Sequence, residues 1–213
     1  MNTVKLEING KQVQATEDMT VLEAERAAGI SIPTLCYHEA LAPYGGCRLC
    51  VVEITSGGRT KLLTSCTYPV EEGLSVQTDT AKVHEHRRMI LELLLARCPN
   101  VPLLQNLGRE YGVDVNKLRM KDIGDPDNKC ILCGLCVRMC EERMGVSAIT
   151  FAGRGVSRRI ETPFKVQSDI CRTCGACATV CPTGAITLED ISANPPRPIK
   201  SEFDMDMGTR SPI

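Results

Sequence analysis

The 213-residue chain has no tryptophan, only three phenylalanines and four tyrosines. A core built on large aromatic side chains is excluded, so something else must help to hold the interior together. Charge excess is missing too, since 25 Lys and Arg against 26 Asp and Glu leave a formal net charge of −1. Without a run of like charge, the chain offers no electrostatic arm for nucleic acid or an anionic membrane. The longest strongly apolar stretch, Met89 to Ala96, falls far short of the roughly 20 residues that span a bilayer. Met1-Asn2-Thr3-Val4-Lys5 leads straight into strand alternation and not into a basic, then apolar, signal peptide. Gly153-Arg154-Gly155 lacks the third glycine and the βαβ setting of a dinucleotide fingerprint. No P-loop or Ser/His/Asp set is recognisable, and no catalytic site of the chain's own is expected.

What the chain has in abundance is cysteine, 13 in all. Eight form two runs, Cys130-x2-Cys133-x2-Cys136-x3-Cys140 and Cys171-x2-Cys174-x2-Cys177-x3-Cys181-Pro182. The second matches the bacterial ferredoxin run that holds [4Fe-4S] clusters, in which the fourth cysteine ligates the other cluster. That crossover predicts one [4Fe-4S] cluster on Cys130, Cys133, Cys136 and Cys181 and another on Cys140, Cys171, Cys174 and Cys177. Gly134 and Gly175 follow the second cysteine of each run, where a missing Cβ lets backbone N–H groups turn toward sulfur. Glu141 stands where the first run would be expected to carry proline, a mild departure because proline is not a ligand. The competing assignment is structural zinc, giving a structural or redox-regulatory metal protein. Three evenly spaced cysteines plus a fourth at fixed offset favour iron-sulfur.

Four more cysteines lie upstream as Cys36-x10-Cys47-x2-Cys50-x15-Cys66, preceded at the central pair by Tyr44-Gly45-Gly46. They read as a [2Fe-2S] site with a longer first gap than the plant-type pattern. The setting supports this. Val4, Leu6 and Ile8 alternate with polar residues, Asn9-Gly10 is a hairpin turn, and Lys11 to Ala15 return as a second strand. Thr20-Val21-Leu22-Glu23 is a capping box opening a short helix that Gly29 would stop. Val51 to Thr55, Lys61 to Thr64 and Leu74 to Thr78 read as further strands. Together these segments describe a β-grasp ferredoxin-like domain. So many thiolates imply a reducing, cytoplasmic setting.

Asp79 to Arg97 reads as a helix with Val83, Ile90, Leu91, Leu94 and Leu95 near one face and His84, His86, Arg87 and Arg88 mostly elsewhere, ended by Cys98-Pro99-Asn100. Pro102 to Tyr111 reads as a second helix, stopped by Gly112. The expected organisation is α+β: residues 1–78 a [2Fe-2S] β-grasp domain, 79–124 a helical connector, 125–190 a double [4Fe-4S] ferredoxin-like domain, and 191–213 an extended C-terminal tail. Arg48, Arg138 and Arg172 lie inside cluster loops. They either raise cluster potentials by favouring added negative charge or face solvent or a partner.

The three cysteine groups in this order, with Cys-Ile-Leu-Cys-Gly-Leu-Cys-Val-Arg-Met-Cys-Glu opening the last module, resemble the iron-sulfur (diaphorase) small subunit of NAD-reducing hydrogenases. The arrangement is similar to the N-terminal iron-sulfur region of the complex I large iron-sulfur subunit and of [FeFe] hydrogenases. The resemblance covers roughly residues 1 to 190. It implies an electron-transfer subunit of a soluble NAD(P)-linked oxidoreductase, with a flavin-containing NAD(P)-binding subunit on one side and a hydrogenase- or formate-dehydrogenase-type subunit on the other. Many relatives hold a third [4Fe-4S] cluster through His-x3-Cys-x2-Cys-x5-Cys. The corresponding stretch here, Ala96 to Pro102, has only Cys98, so that cluster is expected to be missing and Cys98 to be a buried free thiol.

Overall fold

The structure, a computed structural model, describes residues 2–115, 125–166 and 168–189. The expected tail at 191–213 and the end of the connector at 116–124 lie outside the described residues.

Apolar alternation creates the first hairpin. In β1 (Thr3–Ile8) Val4, Leu6 and Ile8 point inward, and β2 (Lys11–Thr16) returns antiparallel with Leu6 opposite Val13. Asn9 and Gly10 both take positive φ, 50° and 78°, as a two-residue turn of this hand demands. The chain then enters α1 (Val21–Ala27), whose Thr20 hydroxyl accepts from the Glu23 N–H while the Glu23 carboxylate accepts from the Thr20 N–H. β3 (Val51–Ser56) and β4 (Arg59–Thr64) form a second hairpin, and β5 (Ser75–Gln77) slots between the two hairpins. The sheet order is β2-β1-β5-β3-β4, with β1 and β5 parallel and the other neighbouring pairs antiparallel. Val21 and Leu22 of α1 join Leu6, Ile8, Val52, Ile54 and Val76 in one apolar core. The closing strand is shorter than the expected 74–78. Leu74 gives its carbonyl to the Glu7 N–H just outside the element, and Thr78 donates its backbone N–H to the Asn9 side chain.

α2 (Ala81–Arg97) starts at Thr80, whose hydroxyl accepts from the Val83 N–H, and ends at Cys98. Its buried stripe is Val83, Arg87, Leu91 and Leu95, four residues apart, so Arg87 does not belong to the polar face predicted from sequence. The reason is local bonding: its guanidinium donates to the Val51 carbonyl at 2.9 Å and to the Tyr111 hydroxyl at 3.2 Å. His84 stays on the polar side, paired with Asp79 and tilted against Tyr111. α3 (Pro102–Glu110) opens on a proline at its first position and stops at Gly112, where φ is +67°. Leu91, Leu95, Cys98, Val101 and Leu104 bury together with Leu35, Leu49 and Ile131. This second core welds the helices to both cysteine-bearing regions.

In the C-terminal module, α4 (Leu135–Arg138) runs on into a π-helical turn, Met139–Arg143. A small hairpin of β6 (Thr150–Ala152) and β7 (Arg159–Glu161) follows, then α5 (Ala176–Thr179). Among the described residues no helix is long and apolar enough to cross a membrane.

Candidate iron-sulfur sites

The upstream four cysteines come together between α1 and β3 and at the turn after β4. Cys36, Cys50 and Cys66 are buried and Cys47 is half-buried, all as free thiols. Cys36 and Cys47 share a hydrogen bond, as do Cys50 and Cys66, and this sharing lowers the Cys47 and Cys50 thiols below the usual range and raises their partners. The Cys47 N–H also points at the Cys36 sulfur, 3.3 Å away. Loop shape depends on the small residues: a Cβ on Gly46 would fall 2.4 Å from the Tyr44 ring. Four soft sulfur donors on one patch, with a backbone N–H already aimed at sulfur, are the donor set a [2Fe-2S] cluster requires.

The later eight cysteines sort into two cavities. One of about 400 Å³ has Cys130, Cys133, Cys136 and Cys181 in its wall. A second, of about 150 Å³, has Cys140, Cys171, Cys174 and Cys177. These are the two crossed sets expected from spacing, and Ile149 and Ile186 line both cavities. Gly134 and Gly175, at φ +77° and +72°, start the short helices α4 and α5 that carry the third cysteine of each run and lead on toward the fourth. The fourth cysteines are matched: Cys140 sulfur accepts from the Ala148 N–H at 3.3 Å, and Cys181 sulfur from the Ala185 N–H at 3.2 Å. Burial pushes the Cys136 thiol up to about 12. Each set of four soft sulfur donors lines its own cavity. Two such sets of four thiolates suit polynuclear clusters.

The two modules meet closely. Cys47 and Cys133 pack against the same core, and both line a cavity of about 180 Å³ beneath α2. Cys98 is fully buried in that core, where burial pushes its thiol up to about 11. Of the three loop arginines, Arg48 and Arg172 are exposed, whereas Arg138 is buried against the upstream loop. Sequence reasoning missed this tie. Its one signal was the departure at Glu141, which lets the helix continue where Pro182 turns the other run away.

Two family models match, a 2Fe-2S iron-sulfur cluster binding domain over residues 1–81 and a 4Fe-4S dicluster domain over residues 129–185. The NADPH-Fe(3+) oxidoreductase subunit alpha of Geobacter sulfurreducens is 35% identical over 203 residues, covering 86% of this chain and 24% of that protein. The NADP-reducing hydrogenase subunit HndD of Solidesulfovibrio fructosivorans is 32% identical, covering 87% of this chain and 36% of that protein. A chain in the crystal structure of an NAD+-reducing [NiFe]-hydrogenase in the H2-reduced state superposes with a TM-score of 0.71 at 30% identity, covering 91% of this chain and 90% of that one. This chain belongs to the family of iron-sulfur proteins that these relatives represent. As a member of that family it carries a 2Fe-2S domain followed by a 4Fe-4S dicluster domain. It spans about a quarter of the length of the first curated relatives it matches.

Proposed function

We propose that this iron-sulfur subunit relays single electrons in the cytoplasm between a flavin-containing, NAD(P)-binding subunit and a hydrogenase- or formate-dehydrogenase-type subunit. The proposed ligands are Cys36, Cys47, Cys50 and Cys66 for one [2Fe-2S] cluster. Cys130, Cys133, Cys136 and Cys181 would hold one [4Fe-4S] cluster, and Cys140, Cys171, Cys174 and Cys177 a second. The working units are residues 1–78, 79–124 and 125–190, with the tail at 191–213. Clusters so held accept and release one electron at a time. The protein's part is to hold them at fixed separation, to tune them through N–H···S bonds and nearby charge, and to limit water.

The observation that carries this reading is the sorting of the eight later cysteines into two cavities, each walled by a crossed set of four. The contact of Cys47 and Cys133 with one core supports a direct connection between the upstream site and the nearer cubane site. Cys171 and Cys174 are exposed while Cys136 is buried, which supports the second cubane site as the one offered to a partner.

Anaerobic co-purification with subunit identification, plus iron and sulfide analysis, tests cofactor and partner together. The expectation is about 10 iron atoms per chain with matching sulfide, from one [2Fe-2S] and two [4Fe-4S] clusters. Zinc with little sulfide would overturn it.

A further inference from the structure

One side chain ties the upstream cysteine loop to the cubane module. Arg138 lies two residues from Cys136 and two from Cys140, yet its guanidinium reaches across a sequence separation of about a hundred residues. Nη1 donates to the Cys36 carbonyl at 3.2 Å and Nη2 to the Ala42 carbonyl at 2.7 Å. Nε donates to Glu142 at 3.2 Å, and the other oxygen of that carboxylate accepts from the Ala42 N–H at 2.8 Å. The guanidinium carbon stands 4.9 Å from the centre of the Tyr44 ring. That ring covers Gly46 of the upstream loop, and a Cβ on Gly134 of the cubane loop would lie 3.6 Å from it. The Tyr44 ring, though 42% exposed, lies against both cysteine-bearing turns, and Arg138 ties them together.

We propose that Arg138 is a positioning and charge-setting residue shared by the upstream and nearer cubane sites, with Glu142 as its counter-charge and Tyr44 as its spacer. This rests on the relay reading above. The placement singles out Arg138: its side chain is 10% exposed, whereas the exposed Arg48 and Arg172 have their charge screened by water and salt. Reduction adds negative charge to a cluster, so a buried cation favours the reduced form of whatever it faces, and an adjacent anion opposes it. The fork matters separately from the charge. A planar guanidinium can hold the Cys36 and Ala42 carbonyls together, while an ammonium on a flexible stem cannot match that geometry. One residue thus controls how tightly the two loops are held and how readily both sites take an electron.

The test is redox potentiometry followed by electron paramagnetic resonance on the anaerobically purified full chain, wild type beside Arg138→Gln, Arg138→Lys and Glu142→Gln. Arg138→Gln should shift the midpoints of both the [2Fe-2S] signal and a [4Fe-4S] signal to more negative values, and Glu142→Gln should shift them the other way. Arg138→Lys should keep both midpoints near wild type while weakening the magnetic interaction between the two reduced centres. If Arg138→Gln fails to assemble, the other two variants still decide the matter. Midpoints and interaction that stay at wild-type values in Glu142→Gln and Arg138→Lys would overturn the proposal, as would a shift confined to one centre. Wild-type protein without iron and sulfide would instead overturn the relay reading itself.

Discussion

The guanidinium of Arg87 donates to the backbone carbonyl of Val51, 2.9 Å away and out of contact with water. A helix that sequence periodicity would have left polar at this point is thereby attached to the strand that follows Cys50. Arg87 also donates to the Tyr111 hydroxyl, so one side chain joins β3, α2 and the end of α3. Losing it leaves a buried carbonyl without its partner, at a cost of about 1.5 to 3 kcal/mol. Arg87→Leu should lower the thermal midpoint of the iron-loaded protein by about 3 to 12 °C, given about 2 to 4 °C per kcal/mol in a chain of this size. A melt within a degree of wild type would show that the bond contributes nothing.

Glu25 is fully buried in α1, and burial is the main cause that pushes its carboxyl up to about 8; Ser65 and Arg87 pull it down by less, and Cys50 raises it further. An unfolded glutamate ionises near 4.5. Between pH 4.5 and pH 8 the folded chain therefore holds the proton that the unfolded chain has released, and stability falls as pH rises through that window. Every tenfold difference in proton affinity between the folded and unfolded chain corresponds to about 1.4 kcal/mol. Glu25→Gln should be more stable than wild type at pH 8 and little different at pH 4.5, read from denaturant midpoints across that range. Parallel pH profiles for the two proteins would refute the buried, protonated carboxyl.

Placing proline at position 141, where the ferredoxin run carries it, should harm this protein. Glu141 lies inside the π-helical turn that delivers Glu142 to the Ala42 N–H. Proline there removes a helix N–H and crowds the preceding turn, at roughly 3 kcal/mol or more. The expected result for Glu141→Pro is faster proteolysis at the junction of the two modules and a lower thermal midpoint, with Pro182→Ala much milder. Equal effects at the two positions would contradict the role given to the π turn.

Gly134→Ala and Gly175→Ala should both impair cluster loading. Each glycine sits at positive φ, and an added Cβ would meet Phe151 at 3.0 Å or Leu188 at 2.7 Å. Backbone strain of about 1 to 2 kcal/mol falls directly on the turn that carries three thiols. Iron and sulfide per chain should drop in both variants, whereas Gly73→Ala, at positive φ but with nothing within 4 Å of the added Cβ, should keep its full metal content.

Cys98→Ala should leave iron and sulfide per chain unchanged, because the thiol is fully buried in the core of Leu91, Leu95, Val101 and Leu104 and lines neither of the cavities walled by the eight later cysteines. In the native wild type its raised pKa and burial make alkylation slow. A fall in iron by the content of a whole cluster would make Cys98 a ligand after all.

Cysteine spacing by itself was enough to group the eight later thiols into the two sets that wall the two cavities, because evenly spaced residues in a tight turn are brought to one place by local geometry alone. Alternation at Val4, Leu6 and Ile8, the Asn9-Gly10 turn and the Thr20-Glu23 box were equally readable, since each is decided within a few residues. Tertiary structure alone decided the rest. Arg87 reads as a polar-face residue in the chain and Arg138 as either cluster-facing or solvent-facing, and only the arrival of Val51 and Tyr111, or of Cys36, Ala42 and Tyr44, makes burying them favourable. The close approach of the upstream cysteines to the nearer of the two later sets was likewise hidden. It follows from apolar side chains of Leu35, Leu49, α2 and Ile131 meeting in one core, a packing between segments far apart in the chain that no local pattern records.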